Sequence, residues 1–129
     1  MRAFVALLLL LPGFSGAQIP SDFIQRENAY RVNNLGVALL EQFKHEEAVG
    51  KFKHALALQP AFGLGRLNLA IGLFNAQKLS EARAAVDLAL RDNPDSPQAN
   101  YILGLINRTE NNQDEGLAAF RKVLEIDPL

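Results

Sequence analysis

Three prolines, Pro60, Pro94 and Pro128, stand 34 residues apart, and this period constrains the chain more than any single residue does. A fixed period of that length marks an array in which each unit is one supersecondary element. Written in three frames, 29–62, 63–96 and 97–129, further positions fall into register. Leu35, Leu69 and Leu103 align, each followed by a small residue, Gly36, Ala70 or Gly104. Glu47, Glu81 and Glu115 align and precede Ala48, Ala82 and Gly116. Phe52, Val86 and Phe120 align, then Ala55, Ala89 and Val123, then Leu56, Leu90 and Leu124.

Each frame holds two helical patterns. In the first, Val32, Leu35, Leu39 and Phe43 recur at spacings of three and four, the stripe of an amphipathic helix. Lys44-His45 breaks it, and a second helix carries Ala48, Phe52, Ala55 and Leu56 on one face. Glu46 and Glu47 fall in its first turn, where the helix dipole favours negative charge. Pro60 ends it, since proline cannot continue a helix and disfavours helical geometry at Gln59. The spacing predicts helices over 22–42, 45–58, 62–76, 79–91, 96–109 and 113–126. Gly36, Ala70 and Gly104 are expected to face the partner helix, with Ala48 and Ala82 receiving larger residues across that contact. Such a hairpin cannot bury its apolar face alone, so neighbours must stack.

Residues 1–17 carry a different pattern. Arg2 precedes an unbroken apolar run from Ala3 to Leu11, then Pro12-Gly13, then the small residues Ser15-Gly16-Ala17. That order is a secretory signal peptide, with cleavage after Ala17 leaving a mature chain that starts at Gln18. The apolar run is too short for ~30 Å of hydrocarbon, which needs about 20 helical residues. A buried N-terminal core helix, or an uncleaved anchor helped by Phe14 and Ile19, are the alternatives. The expectation is an exported protein, periplasmic or secreted, with no stable membrane span after cleavage. Residues 18–28 form an extension leading into the first helix. Hydrophobic residues make up 49% of the chain, enough for a core, and the net charge of −1 lacks the basic excess of nucleic-acid binders. The absence of cysteine removes disulfides, thiolate chemistry and cysteine metal sites.

At this point the residues resemble the tetratricopeptide repeat (TPR) family. Its leucine and small residue in the first helix match Leu35-Gly36, Leu69-Ala70 and Leu103-Gly104. Its alanine early in the second helix matches Ala48 and Ala82, its aromatic Phe52 and Phe120, and its second alanine Ala55 and Ala89; the terminal proline matches in all three copies. Val32, Arg66 and Asn100 replace the family's tryptophan, and Leu39, Leu73 and Asn107 its tyrosine. The resemblance covers 29–129 and implies an all-α, right-handed α–α superhelix (solenoid) of three antiparallel helix pairs.

Little in the chain suggests catalysis. His45 and His54 are nine residues apart, about 180° around a helix, and cannot share a metal; both are expected to be solvated surface residues. Gly63-Leu64-Gly65 lacks the strand, helix and lysine context of a phosphate loop. No nucleophile stands beside a candidate base, so neither a cofactor, a metal nor an enzymatic activity is expected. Asn107-Arg108-Thr109 is a glycosylation sequon, at a position where the family buries an aromatic.

The resemblance implies instead a concave groove lined by the first helix of each repeat, binding a peptide or a partner helix. The groove residues carried over are Asn33, Asn34, Val37, Leu64, Leu67, Asn68, Ile71, Phe74, Tyr101 and Leu105, beside Tyr30, Leu40, Gln98 and Arg108. Asn34 and Asn68 match an asparagine that some family members use to hold a peptide backbone. A carboxylate clamp is not expected, because Asn33, Gln98 and Ile102 stand where its lysines and arginine would. The function implied is an exported protein-binding scaffold or adaptor; the alternative is a module, possibly truncated, of a larger exported enzyme or assembly factor. A self-assembling structural protein is the third reading. The sequence ends at Asp127-Pro128-Leu129 without a further helix. The apolar face of the last hairpin, with Phe120, Val123, Leu124 and Ile126, is therefore expected to be partly open. A longer parent chain, a homodimer through the C-terminal repeat, or fraying would each account for it.

Overall fold

The computed structural model describes residues 19–128, so the signal segment expected over 1–17 lies outside them. Six helices follow one another: α1 (Ser21–Glu41), α2 (His45–Leu58), α3 (Gly63–Asn75), α4 (Leu79–Asp92), α5 (Pro97–Thr109) and α6 (Gln113–Ile126). Each lies within one residue of the bounds that the periodicity predicts, and the described residues contain no strand. None of these helices is long and apolar enough to cross a membrane.

The 34-residue period is written into the turns. Phe43, Gln77 and Asn111 all have positive φ, 59°, 61° and 62°. Each follows the first helix of its repeat. The next N–H reaches back to the helix, Lys44 to the Leu39 carbonyl at 2.9 Å, Lys78 to Leu73 at 2.9 Å and Asn112 to Asn107 at 2.8 Å. These are Schellman closures, which satisfy carbonyls that the helix end would leave without a partner. The proline turns repeat as well. Gln59 and Asn93 are extended, at φ −140° and −142°, as residues before proline must be. The Phe62 and Ser96 N–H groups then close the turn onto the Gln59 and Asn93 carbonyls, both at 3.1 Å. Ser96 also caps α5, its Oγ accepting from the Ala99 N–H at 3.2 Å with Pro97 at the first helical position.

Phe43 therefore leaves the stripe that the spacing assigned to it. It is the turn residue after α1, 82% exposed, because the chain reverses there before its side chain can meet the core. His45 departs from expectation in the other sense. It is half-buried, its Nδ1 is shielded without a partner, and its ring meets Phe43 edge-on at 6.1 Å between centroids. A phenylalanine in left-handed geometry is strained by about 1–2 kcal/mol, which asparagine relieves in part. Phe43→Asn is thus expected to raise the melting temperature, read by circular dichroism; a lower value would show that the Phe43–His45 contact outweighs the strain.

Packing follows the small residues. The helices pair as α1·α2, α3·α4 and α5·α6, and successive pairs meet through α2·α3 and α4·α5. A Cβ added at Gly36 would stand 2.5 Å from the Phe52 ring, and one at Gly104 2.5 Å from Phe120. As expected, these glycines let each aromatic settle against the first helix. Val49, Ala70, Leu73, Ala82, Val86, Ile102 and Ile106 form a buried core that runs through all three repeats. Polar links cross the same junctions. Lys78 Nζ meets Glu46 Oε2 at 2.7 Å and Lys53 Nζ meets Glu81 Oε2 at 3.5 Å, both joining the second repeat to the first. The hydrogen bond to Glu46 raises the Lys78 pKa above the ordinary lysine value. Arg83 joins the second repeat to the third through Asn107 Oδ1 at 2.6 Å and Glu110 Oε2 at 2.5 Å.

Candidate functional site

The first helices of the repeats touch one another, α1 with α3 and α3 with α5, whereas α2, α4 and α6 have no such contacts among themselves. The solenoid therefore curves with α1, α3 and α5 on its inner side. The residues that the resemblance assigns to a groove therefore belong to this inner layer.

Asn33 is 1% exposed, and its Oδ1 accepts from Asn68 Nδ2 at 3.0 Å. The pair ties α1 to α3, and Asn68, half-buried, is the member that still reaches the surface. Asn34 is exposed and stands outside this pair. Val37 and Leu40 are half-buried against Leu39, Ala48 and Phe52. Ile71, Phe74 and Leu105 are half-buried against the central core, so each both supports the fold and offers part of its surface.

Two clefts open along this layer. One, of about 340 Å³, is bounded by Leu64, Leu67, Ala89, Ser96 and Gln98. The other, of about 350 Å³, is bounded by Ile71, Gln98, Tyr101, Ile102 and Val123. Four of the expected groove residues, Leu64, Leu67, Ile71 and Tyr101, are thus brought to two adjoining hollows that share Gln98. Leu64 and Tyr101 are about half exposed, each beside one of the two clefts. Val123 and Asp127, which also line the second cleft, come from the end of α6. An alignment that assigns the groove to first helices alone cannot find them; the pairing of α6 with α5 brings that end beside Tyr101.

The polar residues that replace the family's aromatics are satisfied. Asn100 Nδ2 donates to the Pro94 and Ser96 carbonyls at 3.0 and 2.9 Å. Asn107, which receives Arg83, is 5% exposed, so the folded sequon offers no room for a glycan. Among the described residues no three histidines, aspartates or glutamates gather closely enough to hold a metal.

Comparison with known proteins agrees with this geometry. Residues 67–129 match the family model described as tetratricopeptide repeat. No curated protein matches the chain in sequence. Among solved structures, the first TPR domain of Spaghetti (RPAP3), bound to the HSP90 peptide SRMEEVD, superposes with a TM-score of 0.75 at 21% identity, over 80% of this chain and 82% of that one. The Arabidopsis OM64 TPR domain gives 0.77 at 19% identity, over 81% and 86%. YrrB, described as a TPR protein with an unusual peptide-binding site, gives 0.73 at 22%, over 78% of this chain and 52% of its own. At these identities the likeness is one of fold.

Proposed function

We propose that this chain, a three-repeat tetratricopeptide solenoid, is an exported, non-catalytic scaffold that seats an uncharged stretch of a protein partner in its concave groove. The observation that carries the reading is the Asn33–Asn68 pair among apolar neighbours. A side-chain amide has two N–H donors and one acceptor oxygen. Asn68 commits one N–H to Asn33 and keeps one N–H and its Oδ1. Those two groups complement the C=O and N–H of one peptide unit. Leu64, Leu67, Ile71 and Tyr101 supply the apolar anchors that groove recognition uses.

The fold supports peptide binding by analogy, since the Spaghetti domain was solved with a peptide. An acidic tail like that one is not the ligand proposed here: Asn33 and Ile102 are buried and Gln98 is neutral, so the positions implied for a clamp hold no cation. A second surface, the outer face of α6 with Leu117 and Leu124 exposed, belongs to the same scaffold reading as a site of self-association.

Capture of partners from a cell-envelope fraction, followed by N-terminal sequencing of the recovered chain, tests the proposal. The wild type should recover a partner and begin at Gln18. Leu64→Glu should abolish capture, and Asn68→Ala should weaken it about tenfold, the worth of one or two hydrogen bonds, with unchanged circular dichroism. The double variant Leu67→Glu/Ile71→Glu should also abolish capture, at some loss of stability because Ile71 leans on the core. Capture indifferent to all of these would overturn the groove; a recovered chain beginning at Met1 would overturn cleavage after Ala17, and recovery from the cytoplasmic fraction alone would overturn export.

A further inference from the structure

Among the described residues, both ends of the solenoid expose residues whose repeat equivalents are covered. At the C-terminal end Leu117 is 53% exposed, whereas Val49, its counterpart in the first repeat, is 3% exposed under α3. Leu124 is equally exposed, while its counterpart Leu56 is half-buried. At the N-terminal end Leu35 is 48% exposed, while its counterparts Leu69 and Leu103 pack on the central core. The last repeat thus offers the apolar set that the first repeat uses to hold the second: Leu117, Phe120 and Leu124 for Val49, Phe52 and Leu56.

The charges repeat with it. The first junction is bridged by Glu46–Lys78 and Lys53–Glu81. Moving each residue by whole periods, the C-terminal end carries Asp114 for Glu46 and Arg121 for Lys53. The N-terminal end carries Lys44 for Lys78 and Glu47 for Glu81. Both pairs keep their signs. The junction between the second and third repeats does not: there the same positions hold Ser80 with Asn112, and Asp87 with Glu115, a like-charge pair. That junction is held instead by Arg83. The two open ends are therefore a closer match to the first junction than the second junction is.

We propose that copies of this chain stack head to tail, the third repeat of one on the first repeat of the next, in the geometry of the first internal junction. This deepens the self-association reading above and rests on it. The pairings are Asp114 with Lys44 of the second copy and Arg121 with Glu47 of the second copy, around Leu117 and Leu124 against Leu35. One position differs. Ala38 stands where Gly72 lies, and a Cβ there falls 3.2–3.3 Å from Val49 and Phe52, so the junction between copies must open by a few tenths of an ångström. A contact between two different surfaces does not close on itself by two-fold symmetry, so copies can keep adding at both ends until the rotation closes a ring or, where it does not close, without limit.

Sedimentation of the purified chain over a range of concentrations tests this. Masses should rise through successive multiples of the monomer. Leu35→Glu and Leu117→Glu alter exposed residues, so each should keep its helicity, and each alone should sediment as a monomer. An equimolar mixture of the two should form a dimer and nothing larger, because it retains one intact head and one intact tail. Lys44→Glu should weaken assembly about two- to fivefold at low salt, and Asp114→Lys in the same chain should restore it. A monomer at every concentration would overturn self-association altogether. Assembly abolished by Leu117→Glu but indifferent to Leu35→Glu would leave self-association standing as a symmetric dimer and sink the head-to-tail arrangement. Assembly indifferent to both would sink it as well.

Discussion

Phe52→Ala is expected to destabilise the domain by about 3–5 kcal/mol, the range for emptying a fully buried aromatic site. Phe52 is wholly buried, and it is clasped from two sides. Cβ atoms built on Gly36 of α1 and on Gly72 of α3 would both fall within 3.3 Å of its ring. One side chain therefore closes the first hairpin and also joins it to the second repeat. Its removal leaves a cavity at a junction rather than within one unit, so α1 and α2 should come loose before the rest. In a solenoid, stability is the sum of repeat and nearest-neighbour terms, and losing one junction uncouples what lies beyond it. Phe120→Ala makes the same chemical change at the half-buried equivalent, where nothing packs on the outer side among the described residues. Its cost should be about half as large, because less apolar area is lost from the folded state. Urea titrations of both variants, at concentrations low enough to suppress stacking, read the difference; equal losses would show that the first junction contributes nothing beyond the hairpin.

The contrast between those two phenylalanines shows what the sequence carried and what it did not. Helix bounds were legible because the apolar spacing is punctuated at fixed offsets, by a polar break after each first helix and by the periodic proline after each second one. The close approach at Gly36 and Gly104 was legible for the same reason, since only a small residue at a fixed offset from an aromatic explains the pattern. Phe43 was not legible. Its spacing from Leu39 fits the stripe, but the Schellman turn takes φ positive at that residue, and three different residue types fill the position. A turn position marked by glycine in all three repeats would have revealed itself. The groove was half legible. The resemblance assigned its residues to the first helices, which form the inner layer, yet the burial of Asn33 and its bond to Asn68 depend on how far α1 and α3 approach. Neither periodicity nor residue type specifies that distance. The contribution of Val123 and Asp127 was hidden for a related reason: it depends on where the end of α6 lies in space, not on which helix it belongs to.

Gly36→Ala and Gly104→Ala should separate, although their local geometry is the same. In each, the new methyl group would stand 2.5 Å from a phenylalanine ring atom, so the ring must move. Alanine in place of glycine also favours the helix itself, by about 1 kcal/mol. At Gly104 the ring belongs to Phe120, half-buried at the end of the solenoid, where nothing packs on its outer side among the described residues and it can swing outward. The propensity gain then offsets most of the clash, and Gly104→Ala is expected to lie within about 1 kcal/mol of wild type. At Gly36 the ring belongs to Phe52, which is held by Val37, Leu40, Leu69 and the wall at Gly72. It has nowhere to go without parting α1 from α2 or α2 from α3. The overpacking cost of about 1–3 kcal/mol should therefore survive the propensity gain. A smaller partner provides the internal check: in the double variant Gly36→Ala/Phe52→Leu the loss should be less than the sum of the two single losses, because the clash is gone. Additive losses would mean that the methyl at residue 36 disturbs something other than Phe52. If Gly104→Ala proved the more damaging of the two, the third repeat would have to be held on its outer side as firmly as the first. In solution that firmness would have to come from whatever covers α6, and it should then weaken on dilution if the cover is a second copy of the chain.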